Sequence, residues 1–118
     1  MKSSLPLIKT YDIKSALPTV AEALAELRLI LFANRKKGII KIIHGYGSTG
    51  KGGSIKKMVH KLLQEETRLS HIEGFIPGEA TVSLIGYDQL IRKYLQVLKN
   101  DNDFKKGNDG ITYVITRS

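Results

Sequence analysis

The sequence predicts an α/β sandwich, one small sheet with its helices packed on it. Three observations carry that expectation. Short β-branched segments alternate with segments whose apolar residues recur at helical spacing. Clusters of Gly and Pro fall between them. A chain of 118 residues, 42% apolar and 25% charged, has the size and composition of one folding unit spanning 1–118.

Leu7 to Ile13 mixes apolar and polar residues as a short strand does, and Ser15, Leu17 and Pro18 break it. Thr19 with Glu22 three residues later forms a capping-box pattern. Val20, Leu24, Leu27 and Leu31 then mark a helix that ends before Gly38. Ile39, Ile40, Ile42 and Ile43 flank Lys41 in a stretch too short for a helix, the pattern of a central strand buried on both faces. After a glycine-rich stretch, Ser54 is the expected cap of a second helix, with Ile55, Met58 or Val59, Leu62 and Leu63 facing inward. His71 to Ile76 reads as a third strand stopped by Pro77 and Gly78. Leu90, Ile91, Tyr94, Leu95 and Leu98 outline a third amphipathic helix, beginning near Asp88 and carrying Tyr87 and Tyr94 either over the core or toward a partner. The polar stretch Asn100 to Gly110 is a loop, and Ile111 to Thr116 is a terminal strand.

The absence of cysteine excludes disulfides, zinc–thiolate sites and a thiol nucleophile, and fits a reducing cytoplasm. The longest apolar run, Leu29 to Ala33, is far shorter than the ~20 residues that span a bilayer. The expectation is a cytoplasmic monomer with no membrane partner.

The formal charge of +8 is concentrated in one block. Between Leu27 and Gln64 there is no acid, while Arg28, Arg35, Lys36, Lys37, Lys41, Lys51, Lys56, Lys57 and Lys61 all lie there; elsewhere the remaining ten Lys and Arg face eleven acids. Such a block either solubilises a surface or attracts a polyanion, whose neutralised phosphates release counterions.

Inside the block, His44-Gly45-Tyr46-Gly47-Ser48-Thr49-Gly50-Lys51-Gly52-Gly53 joins a predicted strand to a predicted helix, where backbone amides can converge on a phosphate. Gly45, Gly47 and Gly50 match a dinucleotide fingerprint, but the acids about 20 residues on, Glu65 and Glu66, fall in a helix rather than at a strand end. Gly45 through Lys51 match a phosphate-loop pattern, but Gly52 stands where a magnesium-binding hydroxyl is required, which argues against nucleotide hydrolysis. A polynucleotide phosphate is the third reading, with Tyr46 either stacking on an unpaired base or packing on its own loop and Lys51 pairing with the backbone. His44, at the end of an apolar strand, is either a hydrogen-bonded structural residue or a functional one.

These residues resemble the small MutS-related (Smr) domain family. Ile42-Ile43-His44-Gly45-Tyr46-Gly47 and the following Ser48 to Gly53 are similar to its strand, HGxG signature and glycine-rich loop. Tyr11-Asp12-Ile13-Lys14 stands at the place of its LDxH motif, and Gly110 to Ile115 is similar to its last strand. The resemblance implies a two-layer βαβαββ sandwich, like the C-terminal domain of bacterial translation initiation factor three, here with an extra helix inserted across 81–110. It implies binding of DNA or RNA, with nicking or cleavage in several members. Carried over, the phosphate-binding set is Lys14, Gly45, Tyr46, Gly47, Ser48, Thr49, Gly50, Lys51 and Gly52, extended by Lys41, Lys56 and Lys57. A catalytic version uses Asp12 to orient water or a divalent cation, Mg or Mn, and His44 as acid or base. Lys14 replaces the motif's histidine, and an amine with a pKa near ~10.4 is protonated at neutral pH, so it weakens cleavage and favours anion binding. The alternative is a non-catalytic module that recruits RNA, ribosomes or a protein partner.

Overall fold

The computed structural model describes residues 8–15, 18–36, 38–45, 50–83 and 86–117, with the backbone alone at 50–54 and 83. Four strands form one sheet in the order β1-β2-β4-β3: β1 (Lys9–Asp12), β2 (Gly38–Ile43), β3 (Ile72–Pro77) and β4 (Ile111–Thr116). β1 runs parallel to β2, with Asp12 opposite Ile43, and β4 lies antiparallel to both β2 and β3. The isoleucine stretch is thus central, as expected, and Ile39, Ile40, Lys41 and Ile42 are all buried.

Helix α1 (Val20–Ala33) begins where the sequence requires. The Thr19 hydroxyl accepts from the Glu22 amide and the Glu22 carboxylate accepts from the Thr19 amide, satisfying two donors that the first turn leaves without partners. Asn34 closes the helix, its amide and its side chain both donating to the Ile30 carbonyl. Helix α2 (Gly50–Arg68) starts five residues earlier than expected, so Ser54 lies inside it and does not cap it. Ile55, Val59 and Leu63 form its buried stripe. With Ala23, Leu27, Ile30 and Leu31 of α1 they cover Ile40, Ile42, Phe75 and Val114 on one face of the sheet. Each fully buried aliphatic side chain there contributes about 1.5–3 kcal/mol.

The connection from β3 to β4, the expected insertion, covers the opposite face. Its described residues hold three short helices where one was expected: α3 (Ala80–Ser83), α4 (Asp88–Lys93) and α5 (Leu95–Leu98). The break between α4 and α5 falls at Tyr94, whose backbone leaves helical geometry (φ −113°, ψ 18°) and whose hydroxyl donates to Glu73 on β3. Ala80, Ile91, Leu98 and Phe104 pack on Ile39, Ile76, Ile111, Tyr113 and Ile115, with Tyr87 and Tyr94 half-buried against them. Those two tyrosines therefore serve the core. Gly78 permits this packing, because a Cβ there would lie 1.9 Å from the Asn108 carbonyl oxygen.

Candidate nucleic-acid interface

The strand directions bring the carboxyl ends of β1, β2 and β3 to one edge of the sheet, beside the start of β4. The connection from β2 to α2 leaves from that edge, the side on which open α/β sheets bind ligands. Asp12, Lys14, His44, Gly45, Lys56 and Glu79 are described there. Tyr46, Gly47, Ser48 and Thr49 lie outside the described residues. Gly50, Lys51 and Gly52 form the first turn of α2.

Asp12 is exposed, and its Oδ1 accepts from the amides of Lys14 (2.9 Å) and Ser15 (3.0 Å), fixing the turn that follows β1. Partial burial would raise its pKa, but hydrogen bonds from the Ser15 hydroxyl and these two amides, with the charge of Lys14, hold it below the usual carboxylate value. Lys14 lies against Gly45: a Cβ on Gly45 would sit 3.3 Å from Lys14 Cδ. Gly45 has φ +88°, a left-handed conformation that favours glycine. The amides of His44 and Gly45 both donate to the Gly110 carbonyl, at 3.0 and 3.1 Å. This corrects one expectation, since the Gly45 amide is committed to the fold and is not offered to a phosphate.

His44 is 1% exposed and both ring nitrogens are engaged. Nδ1 lies 2.8 Å from the Gly45 carbonyl oxygen and Nε2 lies 2.8 Å from Thr112 Oγ1. A carbonyl only accepts, so Nδ1 carries the proton and Nε2 accepts from the Thr112 hydroxyl. That hydroxyl oxygen in turn accepts from Nε2 of His60, also at 2.8 Å. The result is a directed chain, His60 to Thr112 to His44 to Gly45, with the two imidazoles edge to face at 5.6 Å. Burial pushes His44 down to about 4; the Gly45 carbonyl and Glu79 oppose this, while His60 and Lys56 reinforce it. Burial also lowers His60, against Glu79 and with Lys56. Both rings are neutral at pH 7. With both nitrogens bonded inside the protein, the neutral imidazole ties the backbone at Gly45 to β4.

Lys56 reaches Glu79 at 3.0 Å across the same edge, and Lys57 is exposed on α2. Lys41 departs from expectation. It points to the other face of the sheet, where its ammonium donates to Asp101 (2.9 Å) and Asp103 (2.7 Å). Burial would lower its pKa, but the two carboxylates outweigh it and hold it above the usual lysine value. Lys41 is a structural cation and does not extend a track with Lys56 and Lys57. Sequence reasoning missed His60, Thr112, Asp101 and Asp103. His60 follows Val59 on the buried side of α2 and could have been flagged by that spacing, whereas Thr112 sits in an otherwise continuous β-branched run that gives no sign of its hydroxyl's role.

Among the described residues no cluster of three or more His, Asp and Glu is placed to hold a metal ion. Asp12 supplies one carboxylate beside an ammonium, a donor set unlike the oxygen shell that Mg or Mn takes. No described helix is long and apolar enough to cross a membrane.

Sheet, helices and edge thus define an α/β sandwich with its glycine-rich connection at the carboxyl ends of its parallel strands. The model of the Smr domain matches residues 13–82, more than half of the chain. This chain therefore belongs to the Smr domain family, one of nucleic-acid-binding and nuclease-like proteins. No curated protein and no solved structure matches it. The match begins at Ile13, just after Asp12, and ends at Val82, before most of the β3–β4 connection and β4.

Proposed function

We propose that this chain binds nucleic acid through its sugar-phosphate backbone, with the segment from Tyr46 to Gly52 receiving a phosphate and Lys14, Lys51, Lys56 and Lys57 around it. The observation that carries this is the position of the connection, between the carboxyl end of β2 and the amino end of a 19-residue helix. There the helix macrodipole and the first-turn amides, which have no partner within the helix itself, favour an anion. The acid-free stretch from Leu27 to Gln64 contains the whole of it. The function is binding without cleavage by Asp12 and His44, because His44 is buried and neutral and Asp12 is occupied in its turn.

A salt titration of binding to labelled DNA and RNA tests the first part. Affinity should fall steeply with added salt, and Lys51→Ala should weaken it by ~1 kcal/mol or more. Salt-insensitive binding would reject the phosphate contact. Incubation with supercoiled plasmid and structured RNA, in Mg, Mn or chelator, tests the second. Robust nicking that Asp12→Asn abolishes would show that the chain is a nuclease.

A further inference from the structure

The basic block of the sequence does not form one surface. Arg28 and Arg35 lie at the opposite edge of the sheet from Gly45, where β2 and β3 begin and β4 ends. The two edges are separated by the length of β2, ~17 Å at the usual rise per residue. At this second edge a cavity of about 550 Å³ is lined by Arg28, Phe32, Arg35, His71 and Arg117 over a floor of Leu31 and Ile72. Three guanidiniums therefore surround one hollow. Among the described residues Glu66 is the one carboxylate in its wall, and its Oε1 is held by His71 at 3.2 Å.

Phe32 is the unexplained residue of this edge. It is 65% exposed, and Leu29, one turn earlier on the same stripe of α1, is 71% exposed. The core of α1 is already supplied by Ala23, Leu27, Ile30 and Leu31, so folding does not require these two apolar side chains. Phe32 is also not loose. The Arg35 guanidinium lies 4.0 Å from its ring centroid while donating at 2.6 Å to the Phe32 carbonyl, which joins a cation to an exposed aromatic face. A solvent-exposed ring stacked by an arginine, in a hollow with two further arginines, matches a ligand that is planar and apolar at one end and anionic at the other.

We propose that this hollow is a second nucleic-acid contact that takes one unpaired nucleotide of a single strand, its base on the Phe32–Arg35 stack and its phosphate between Arg28 and Arg117. The proposal rests on the preceding reading only in that the ligand is a polynucleotide. It adds a preference for single strands, since a paired base has no free face to stack, and it assigns that preference to the edge remote from the glycine-rich connection. Stacking against an aromatic side chain and charge neutralisation by arginine are separable contributions: the first tolerates salt and the second does not.

The test is fluorescence anisotropy of the full chain with a 20-nucleotide oligouridylate and with a duplex of equal length, for wild type, Phe32→Ala, Arg28→Gln, Arg35→Gln and Lys51→Gln. Phe32→Ala should weaken the single strand about tenfold with an unchanged salt slope, and should change duplex affinity less than about twofold. Arg28→Gln should weaken the single strand and reduce the salt slope by about one. Ultraviolet crosslinking of a bromouridine oligonucleotide, read by mass spectrometry, should place an adduct within α1 near Phe32. Because Phe32 and the arginines are exposed, these variants should retain the wild-type melting curve.

Unchanged single-strand affinity in Phe32→Ala and Arg35→Gln overturns the proposal, and if Lys51→Gln still weakens binding, the glycine-rich site survives that failure. Wild-type protein that binds neither probe overturns both. Polyglutamate competing with the oligonucleotide charge for charge would make the hollow a site for acidic protein. A dimer in sedimentation velocity that Phe32→Ala dissolves would assign it to a second copy. Either result also overturns the nucleotide assignment.

Discussion

Thr112 and Tyr113 are neighbours on β4, yet each anchors a buried polar network, and the two networks lie on opposite faces of the sheet. On the face covered by α1 and α2, Thr112 joins two neutral imidazoles. On the other face, the Tyr113 hydroxyl donates at 2.7 Å to Asp101, which also accepts from the Lys41 ammonium. Burial selects opposite outcomes in the two places. For the histidines the desolvation of burial outweighs what the Gly45 carbonyl and the Glu79 carboxylate offer a positive charge, so both rings stay neutral. Lys41 finds two carboxylates and keeps its charge. The difference teaches that burial strips the charge from a titratable side chain unless opposite charges in direct contact outweigh the desolvation.

The comparison breaks most readily at Lys41. Lys41→Ala leaves Asp101 and Asp103 facing each other without their cation and should destabilise the fold by about 3–5 kcal/mol in urea unfolding. A triple variant that also carries Asp101→Asn and Asp103→Asn should recover much of that loss, because no uncompensated charge then remains. A small effect of Lys41→Ala would mean that the β3–β4 connection is not tied to the sheet through this network.

Acid separates the two faces next. The folded pKa of His44 is depressed to about 4 from an ordinary 6.5. The unfolded chain therefore binds the extra proton first, and the stability associated with the neutral ring is fully present above pH 6.5 and lost as pH falls toward 4. The loss over that range is about 3 kcal/mol for His44, with His60 adding in the same direction. Asp103 is lowered from 3.8 by Lys41 and Asn108, so its contribution holds through that window and fades only as pH drops below 3.8 toward its folded value. Lys41 is raised from 10.5, so its contribution is lost as pH rises beyond that value. Unfolding free energy that stays flat from pH 7 to 4 would refute the neutral-histidine network.

Thr112→Val sharpens the comparison at smaller cost. It removes the shared hydroxyl while keeping shape, which leaves His44 Nε2 and the His60 N–H without that partner, and should destabilise by ~1–3 kcal/mol. Proton-detected NMR of the imidazoles would show whether the His44 Nδ1 proton and the His60 Nε2 proton persist in slow exchange in the wild type. The smallest effect is expected at Lys56→Gln. Its partner Glu79 is 46% exposed, and water screens the pair, so the loss should be under about 1 kcal/mol. A Lys56 effect as large as that of Lys41 would show that exposure is not what separates the two ion pairs.

Much of the fold was legible because its signals are local. The Thr19–Glu22 capping box, the isoleucines around Lys41 and the β-branched terminal strand each encode their own element, and each lies where the pattern places it. The third helix was legible only as an amphipathic stretch, because its break at Tyr94 comes with a contact to Glu73 on a strand 21 residues earlier. The candidate site was legible as a glycine-rich connection in a basic block. What each member does there was not. His44 and Lys41 are three residues apart on or beside one strand, and alternation sends them to different faces and different partners. Arg28 and Arg35 of the same block lie at the other end of the sheet from Gly45, which a linear count of charge does not reveal.

By itself the sequence determined the alternation of strands and helices, the central strand, the family motif around His44 and the excess of positive charge, because periodicity, capping and composition act within a few residues of one another. Only the tertiary structure decided that His44 is neutral and inward, that Lys41 is a structural cation, that the Gly45 amide is already bonded and that the basic block is divided between two edges. Those outcomes depend on which distant groups the folded backbone brings within hydrogen-bonding distance, and Thr112, Gly110, Asp101 and Asp103 reach their partners only through the pairing of β4 with β2 and the packing of the connection behind it.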